Sequence, residues 1–599
     1  MKNKYALVLI ACLCYSIAFS QNNDTEEDSN SESTFSQFME NLSGSFESNG
    51  QWYLNDKKTG AFEEDEHVRA NSYLRLNYYF LENFSAGLQV ESYAPEPLLN
   101  YDREFDKNVG LAQYYVNYKT DKVDATAGYF YEQFGSGLVL RAWEDTALGL
   151  NNSIRGGKVS YAPFDFLSVT GLYGSQRRGF DVSDSDIMAF NTEFNIDNLL
   201  DSEFFDEFSL GLSYVNRNEE YVSPNDVVNP DMVNIPKNVG SYSARLGLSF
   251  KDIYTNVEYV YKGEDVRLNN IIPNTVSFSE NKLFDGSALL FNLGYSRKGL
   301  GINYTFRRLE NMSFYSQRED KNLINNPTNR ATLNYLPALT KQHDYTLANI
   351  YLYQAQPGLY VENYESPRVK AGEIGNQFDV FYKIKKGSAL GGKYGTKISM
   401  NYSYWAALNV DISDPDGQPF FSSDNLTYKS DFLSFKNKLF TDLNIEINKK
   451  WSRKFSSIFT FIDLYYNTDY LVEANGTSVS AWIGVAESTY RFGKGKSIRL
   501  EAQHLSTDDD ARNWVGGTVE YFFNPNLGIY LNDSYNYEDS PVEENRKIHF
   551  FNLGGSYTKG ATRIGLNYGR QRGGLICVGG VCRPVNKNTG VTLNLTTSF

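Results

Sequence analysis

From about residue 41 to its end, the chain repeats runs of about ten residues in which apolar and small polar residues alternate. In the last run, Val591, Leu593, Leu595 and Phe599 fall on one face, and Thr592 begins the other. A period of two predicts β-strands. The polar positions are mostly Gly, Asn, Ser and Thr, and Tyr and Phe cluster at the ends of the runs. Strands that are apolar outside, small and polar inside, and aromatic at their ends predict a lipid-facing barrel.

The connections between the runs alternate between short turns and long loops, as in outer-membrane barrels. Thr558–Gly560, Asn524–Asn526 and Thr120–Lys122 are short, and long connections lie between them. The segment Gly387–Lys393 resembles a phosphate-binding loop, but Tyr394 replaces the Ser or Thr that would bind Mg²⁺. We interpret this segment as another short turn.

The alternation fails once, between Arg308 and Tyr345, where a short turn is due. A further strand at Asn329–Leu339, followed by a periplasmic turn at Thr340–Asp344, restores it, although Pro337 cannot donate to a strand ladder. The predicted fold is therefore all-β: a single closed transmembrane antiparallel β-barrel of the outer-membrane type over residues 41–599. It has about 26 strands, and this even number leaves both termini in the periplasm.

The N-terminus predicts export. Met1–Ser20 has two lysines, an apolar run and a small-x-small site before Gln21, which is typical of a cleavable signal peptide. An alternative is lipoprotein processing at Cys12, because Leu9–Cys12 resembles a lipobox. The acidic segment Gln21–Glu40 is rich in Ser, Asn, Asp and Glu and is predicted to be a disordered tail. The expected location is the cell outer membrane.

Composition excludes several functions. The 599 residues have a net charge of −15, and removing the leader makes the balance more negative, so nucleic acid is an improbable partner. A TonB-dependent receptor would need a plug domain before the barrel, and the short tail leaves no room for one. His504 near Asp508–Asp510 is a weak hydrolase candidate, so we predict no catalysis and no cofactor. Asp411, Asp414 and Asp416 are weak Ca²⁺ candidates, so no metal site is predicted.

Two features mark the C-terminal region. Cys577 and Cys582 lie in the last long loop, where an oxidising compartment favours a structural disulfide between them. The final strand resembles the assembly signal read by the outer-membrane barrel-insertion machinery. The residues that match this signal are Val591, Leu593, Leu595 and Phe599.

Gly128–Tyr161 runs from one strand through a glycine-punctuated segment into the next strand. This segment carries Arg141, Glu144, Asp145 and Arg155. It resembles alginate-export-like porins, in which an arginine-containing loop narrows the pore, and also a family of large, functionally uncharacterised outer-membrane barrels of Gram-negative bacteria. These four charged residues are therefore the predicted lumen constriction. The alternative is a surface loop with scattered ion pairs.

Two functions remain open. The first is a porin or export conduit for a polar solute or glycan, which the small polar inward face favours. The second is a structural or assembly component that docks other outer-membrane proteins through long loops such as Arg217–Asn238 and Lys262–Phe284. The other expected partners are outer-membrane lipid and lipopolysaccharide.

Overall fold

The computed structural model of the chain describes most of the region that was predicted to form the barrel. It covers residues 40–599 except 64, 99–107, 201–203, 221–234, 266–267, 273–274, 279–282, 319–330, 357–359, 362–368, 414–426, 472–476, 511, 539–546 and 579–580. The predicted signal peptide and almost all of the predicted acidic tail lie outside these residues, so both stay predictions.

Long antiparallel strands form the body of the molecule. They are β1 (Leu42–Tyr53), β2 (Val68–Phe80), β3 (Phe84–Ser92), β4 (Val109–Lys119), β5 (Val123–Phe130), β6 (Ile154–Phe164), β7 (Leu167–Arg178), β8 (Asp186–Asn195), β9 (Glu207–Asn218), β10 (Asn238–Phe250), β11 (Ile253–Asp265), β12 (Phe284–Arg297), β13 (Leu300–Glu310), β14 (Gly372–Ile384), β15 (Thr396–Ala407), β16 (Asn437–Lys450), β17 (Phe455–Tyr466), β18 (Val479–Gly493), β19 (Lys496–Ser506), β20 (Trp514–Asn524), β21 (Leu527–Asn536), β22 (His549–Lys559), β23 (Thr562–Gln571) and β24 (Asn588–Ser598).

The strands close into a single barrel. Each strand pairs with the next along the chain, and β24 pairs back with β1, with Leu593 opposite Gly50. A short strand, Asp181–Val182, pairs with the end of β7 and lies outside the ring. The closed antiparallel barrel is confirmed, but it has 24 strands where about 26 were predicted.

The difference arises in the long connection between β13 and β14. Asn329–Leu339 was predicted as a strand, but its described residues, 331–339, form no barrel strand. Their backbone bonds to another loop: the Tyr335 amide donates to the Gly137 carbonyl at 2.8 Å. Leu333 belongs to an alternating apolar pattern like that of a strand, yet its side chain is buried inside the barrel. The predicted periplasmic turn at Thr340–Asp344 is therefore wrong as well.

Smaller elements decorate the long loops. Among the described residues they are the hairpins Glu132–Phe134 with Leu140–Ala142, Glu144–Asp145 with Leu150–Asn151, Leu268–Ile272 with Thr275–Phe278, Tyr360–Val361 with Val369–Lys370, Val410–Ser413 with Thr427–Ser430, and Gly574–Val578 with Val581–Val585. The described helices are short, such as Ile196–Leu200 and Thr468–Leu471, and none of them is long and apolar enough to cross a membrane.

The outward face suits a bilayer. Large apolar side chains point outward and are exposed along many strands, for example Leu212, Leu500 and Leu566. Exposed aromatic rings, including Phe164 and Trp451, lie at the strand ends that carry the short turns. An apolar band with aromatic residues at its edge is the arrangement that a lipid-facing barrel requires. The predicted alternation is confirmed on this face.

Both ends of the barrel chain lie at the short-turn rim, because β1 starts there and β24 ends there. We expect an epitope tag after Phe599 to be inaccessible to antibody on intact cells. A tag inserted between Lys57 and Lys58, in the connection from β1 to β2 at the opposite, long-loop rim, should be accessible. Surface staining of the two strains compares them directly, and staining of the C-terminal tag on intact cells would reverse the assigned orientation.

The C-terminal residue closes the seam between β24 and β1. The Gly44 amide donates to the Phe599 carbonyl at 2.8 Å, and the Phe599 amide donates to Gly44 at 3.0 Å. A Cβ atom on Gly44 would lie 2.5 Å from the Phe599 ring, so this close approach requires glycine. Deleting Phe599 should reduce the amount of folded, heat-modifiable barrel in outer-membrane fractions several-fold. The control Ser598→Ala should assemble normally, and normal levels of the deletion variant would contradict the assembly-signal prediction.

Candidate functional site

Two long-rim loops fold into the lumen, and we call them insert 1 and insert 2. Insert 1 is the connection 131–153 between β5 and β6. Insert 2 comprises the described parts of the connection between β13 and β14, residues 311–318 and 331–356. Together they pack against the inward faces of strands around much of the barrel, so the lumen is crossed by protein.

Insert 1 is held by an apolar core. Leu138, Val139 and Leu140 are all buried, and the apolar residues that surround them belong to insert 2 and to the barrel wall. The wall residues of this core are Ile154, Leu172, Ile187, Ala189, Val215, Val239, Val260, Ala288 and Leu309. Three consecutive apolar residues in a loop facing water would be costly, and burial in the lumen removes that cost.

Polar contacts fix the two ends of insert 1 against opposite parts of the wall. The Ser136 amide donates to Glu258 of β11 at 3.1 Å. At the other end, Glu144 accepts from Gln89 at 2.7 Å and pairs with Arg75 at 3.2 Å. Insert 1 therefore reaches from the β2–β3 side of the lumen to β11.

Insert 1 and insert 2 are joined in mid-lumen. The Arg141 amide donates to the Leu333 carbonyl at 2.7 Å. The Arg141 guanidinium lies over the rings of Trp143 and Tyr335, at 4.4 and 3.9 Å from their centroids. Asn152 adds a bond to the Thr332 carbonyl at 3.0 Å. These contacts make the two loops one plug.

Insert 2 packs on the other half of the wall. Tyr345, Leu347, Tyr351 and Tyr353 are buried in an apolar cluster with residues of strands β15 to β20 and β22. The Leu347 amide donates to Gln503 of β19 at 2.9 Å. Burial raises the pKa of the Tyr353 hydroxyl well above its ordinary value, and the nearby Glu373 carboxylate raises it further. The hydroxyl therefore keeps its proton and stays a donor.

A buried ion pair secures insert 2 to the wall. Arg307 of β13 pairs with Glu373 of β14, and both side chains are buried. Arg307 also donates to the Pro337 carbonyl, and Tyr353 donates to Glu373. The guanidinium lies 5.1 Å from the Trp405 ring centroid. Each side chain of the pair thus bonds to both the wall and insert 2.

A charged cavity of about 350 Å³ lies beside insert 1, against β8 to β12. Its Arg245 donates to Glu193 and to Asn191, both at 2.6 Å, and to Ser213 at 2.7 Å. The guanidinium of Arg245 is therefore already bonded to protein groups, with Glu193 as its counter-charge.

A second cavity, of about 410 Å³, has a different lining, and we call it the amide cavity. It lies on the inward faces of β1 and β21 to β24. Its lining residues are Gln51, Tyr530, Asn532, Asn552, Asn567, Gly569, Gln571, Asn588, Gly590 and Thr592. All of them are uncharged, and most are amides or glycines.

The structure places three of the four predicted constriction residues in the lumen. Arg141 joins the two inserts, Glu144 binds the wall, and Asp145 accepts from the Leu148 amide at 3.1 Å to shape a turn. Arg155 instead shares the outward face of β6 with exposed Val159 and pairs in register with Tyr129. The expectation for Arg155 is therefore corrected, and a constricting role for the other three stays a proposal.

The other predicted residues have mixed outcomes. Cys577 and Cys582 are register partners in the Gly574–Val578 and Val581–Val585 hairpin, but their side chains lie outside the described residues, so the disulfide stays a prediction. Of the weak Ca²⁺ candidates, Asp411 is exposed, and Asp414 and Asp416 lie outside the described residues. His504 lies 3.0 Å from the Tyr537 hydroxyl.

The amide cavity and the anchors Arg307 and Glu373 were not predicted. A signal for the plug was present in the sequence: near the long-loop rim, both faces of some strands are apolar, as in Ile187-Met188-Ala189-Phe190. An inward face that met only water would not carry Ile187. Such residues indicate that something apolar covers them.

A closed antiparallel barrel with an apolar outward face and an in-folded plug defines a β-barrel of the outer-membrane type. The chain belongs to a family of unknown function, DUF6029, whose model matches residues 1–599. This agrees with the predicted membership of an uncharacterised barrel family. No curated protein matches the chain.

Several solved barrels have a similar path of the backbone. The siderophore receptor PirA from Pseudomonas aeruginosa is 10% identical, with 93% of this chain and 80% of that one covered and a TM-score of 0.39. Pseudomonas aeruginosa OpdK with vanillate is 10% identical, with 94% of this chain and 99% of that one covered and a TM-score of 0.34. The translocation pore of the P pilus usher PapC is 7% identical, with 93% of this chain and 99% of that one covered and a TM-score of 0.33. The expected resemblance to alginate-export-like porins is not among these findings.

Proposed function

We propose that the chain is a passive outer-membrane conduit for a polar solute or glycan, with no catalytic step. Its plug narrows the lumen, and the route that remains follows the amide cavity. The observation that carries the proposal is that the polar inward face of β21 to β24 and β1 keeps a cavity of about 410 Å³ in a lumen that the two inserts cross.

The plug explains how a wide barrel avoids leaking. Lumen diameter grows with strand number, so a barrel of 24 strands without an obstruction would pass small solutes freely. Insert 1 and insert 2 supply that obstruction from loops of the same chain. We propose that Arg141, Glu144 and Asp145 constrict the pore by fixing the position of insert 1.

The route is polar along its wall. Asn532, Asn552 and Asn567 point inward and are only partly buried. Amide and hydroxyl groups can replace the hydration of a polar solute as it passes, whereas the outward apolar face cannot. This supports a hydrophilic cargo.

Planar-bilayer recording of the purified full-length chain tests the proposal. We expect discrete openings of small, defined conductance, with a preference for polar cargo in a liposome-swelling assay. A correctly folded barrel that is silent in both assays, and that purifies with stoichiometric outer-membrane partners, would overturn the conduit in favour of the docking function. The loops named for docking, Arg217–Asn238 and Lys262–Phe284, lie partly outside the described residues.

A further inference from the structure

The side chains of the amide cavity form two rows across the strands. The upper row runs from Asn532 to its register partner Asn552, and on through Gly569 to Gly590. Adjacent strands lie about 4.8 Å apart, so hydrogen-bonding groups recur across the wall on the scale of one sugar ring.

The lower row runs parallel to the first. Tyr530 is opposite Gly554, Gly554 is opposite Asn567, and Asn567 is opposite Thr592. Gln51 of β1, which is opposite Thr592, completes it across the closing seam. The lower row contains one glycine, Gly554, and the upper row ends in two, and neighbouring side chains lie over all three.

One buried polar atom of these rows has no partner among the described residues. The Asn567 amide nitrogen donates to Asn552 Oδ1 at 3.2 Å, but Asn567 Oδ1 has no hydrogen-bond partner and is buried. Gln51 donates to Asn588 at 2.7 Å, and Asn588 donates to Gln571 at 3.1 Å. Asn567 Oδ1 has almost no exposed surface, so a ligand hydroxyl gains this bond only when the Asn567 side chain turns toward the cavity. Because a buried polar atom without a partner is costly, that turn and the new bond would favour binding.

The absence of charge in the lining restricts the class of ligand. None of the ten lining residues is acidic, basic or histidine. The charged cavity on the opposite wall shows the contrast, because there Arg245 and Glu193 pair with each other at 2.6 Å. An uncharged lining of amides and hydroxyls gives an ionic ligand no counter-charge, and it matches the donor and acceptor hydroxyls of a neutral polyol.

An aromatic ring adds a surface for the apolar face of a sugar. The Tyr530 ring lies against Gly554, where an added Cβ would be 2.8 Å from the ring. A peptide fits less well, because peptide recognition uses a free strand edge or apolar pockets. The closed barrel has no free edge here, and Tyr530 is the largest apolar surface in the lining.

We infer that the amide cavity binds a neutral carbohydrate chain. The inference names the class of cargo and so rests on the proposed conduit. Binding can be measured without transport, however, and the two can therefore fail separately.

A matched pair of double variants tests the site. In the amide cavity, Asn552 and Gly554 lie on one strand and Asn567 lies opposite Gly554 on the next. On the other wall, Asn292 and Gly294 face Asn303 in the same arrangement. There the amides already bond to protein: Asn292 Oδ1 accepts from Thr305 at 2.7 Å, and Asn303 donates to Thr305 at 3.3 Å. The variants are Asn552→Ala with Asn567→Ala, and the control Asn292→Ala with Asn303→Ala.

Titration calorimetry on the purified full-length chain would use neutral hexasaccharides of α-glucan, β-glucan and mannan type. An acidic hexagalacturonate and an uncharged hexapeptide are the comparison ligands. We expect at least one neutral hexasaccharide to bind, and to bind about tenfold or more weakly to Asn552→Ala/Asn567→Ala but unchanged to the control. Heat-modifiability on gels verifies that both variants fold.

The outcomes separate the two proposals. Binding with this pattern in a barrel that conducts no ions supports the carbohydrate site and overturns the conduit. A conducting barrel that binds no neutral hexasaccharide, or binds it equally in both variants, overturns the carbohydrate site and leaves the conduit standing. Preference for the peptide or for the acidic sugar also overturns the carbohydrate site.

Discussion

Removing residues 136–151 should raise the single-channel conductance several-fold while the barrel still assembles. The deleted segment includes Leu138, Val139 and Leu140, which fill the lumen beside insert 2. It also removes Arg141, which joins the inserts by stacking on Tyr335. Without these contacts the lumen widens toward the diameter that its strand number allows.

Assembly should survive the deletion because the ladder between β5 and β6 lies outside it. Ala127 pairs with Gly157 and Tyr129 with Arg155, and both pairs remain. Planar-bilayer recording measures the conductance, and uptake of large antibiotics by cells gives a second readout. The expected change in cells is greater sensitivity to antibiotics that intact outer membranes exclude.

A deletion in another long-rim loop is the matched control. Residues 414–426 lie between the strands of the Val410–Ser413 and Thr427–Ser430 hairpin, and their removal should leave conductance unchanged. If the 136–151 deletion assembles and neither its conductance nor its permeability differs from the control, insert 1 does not obstruct the pore. The docking function would then be favoured over the conduit.

The barrel could be predicted because its signal is local. Alternation places Leu553 and Leu566 outward and Asn552 and Asn567 inward whatever the rest of the chain does. The short turns follow from the same pattern, and so do the positions of both termini. These features depend on neighbouring residues alone.

Insert 2 could not be predicted because its partners are distant in sequence. Leu333, Tyr335 and Pro337 alternate as a strand would, and an alternating segment gives no indication of whether its backbone pairs with a barrel strand or with a loop. Here the Tyr335 amide pairs with Gly137, almost two hundred residues earlier in the chain. That non-local contact made the expected strand part of the plug.

The candidate site shows the same division. The small polar inward face was predicted, and the amide cavity is made of it. Its assembly from both ends of the chain, however, depends on the closing register that sets Gln51 opposite Thr592. Arg155 was misplaced for a related reason: its face is set by the β6 register, and one residue of shift exchanges lumen for lipid.

The ion pair between Arg307 and Glu373 should control whether insert 2 stays packed. In Arg307→Ala, Glu373 remains buried without its cation, and breaking a buried pair in this way costs about 3–5 kcal/mol. The Pro337 carbonyl loses its donor as well. Peptide-level hydrogen exchange in detergent should show residues 331–356 exchanging about a hundredfold faster or more, since each 1.4 kcal/mol is about tenfold.

Arg499→Ala is the matched control for this prediction. Arg499 is also an inward arginine with carboxylate partners, pairing with Glu487 at 2.8 Å, but its side chain is 24% exposed where that of Arg307 is 1% exposed. The carboxylates that Arg499 pairs with, Glu487 and the buried Glu501, belong to the wall and not to insert 2, so exchange in 331–356 should hardly change. The double variant Arg307→Met with Glu373→Leu removes both buried charges and should exchange more slowly than Arg307→Ala, although the Pro337 carbonyl and the Tyr353 hydroxyl still lose their partners. Equal exchange in Arg307→Ala and Arg499→Ala would show that the apolar contacts of Leu347 and Tyr351 hold insert 2 without the ion pair.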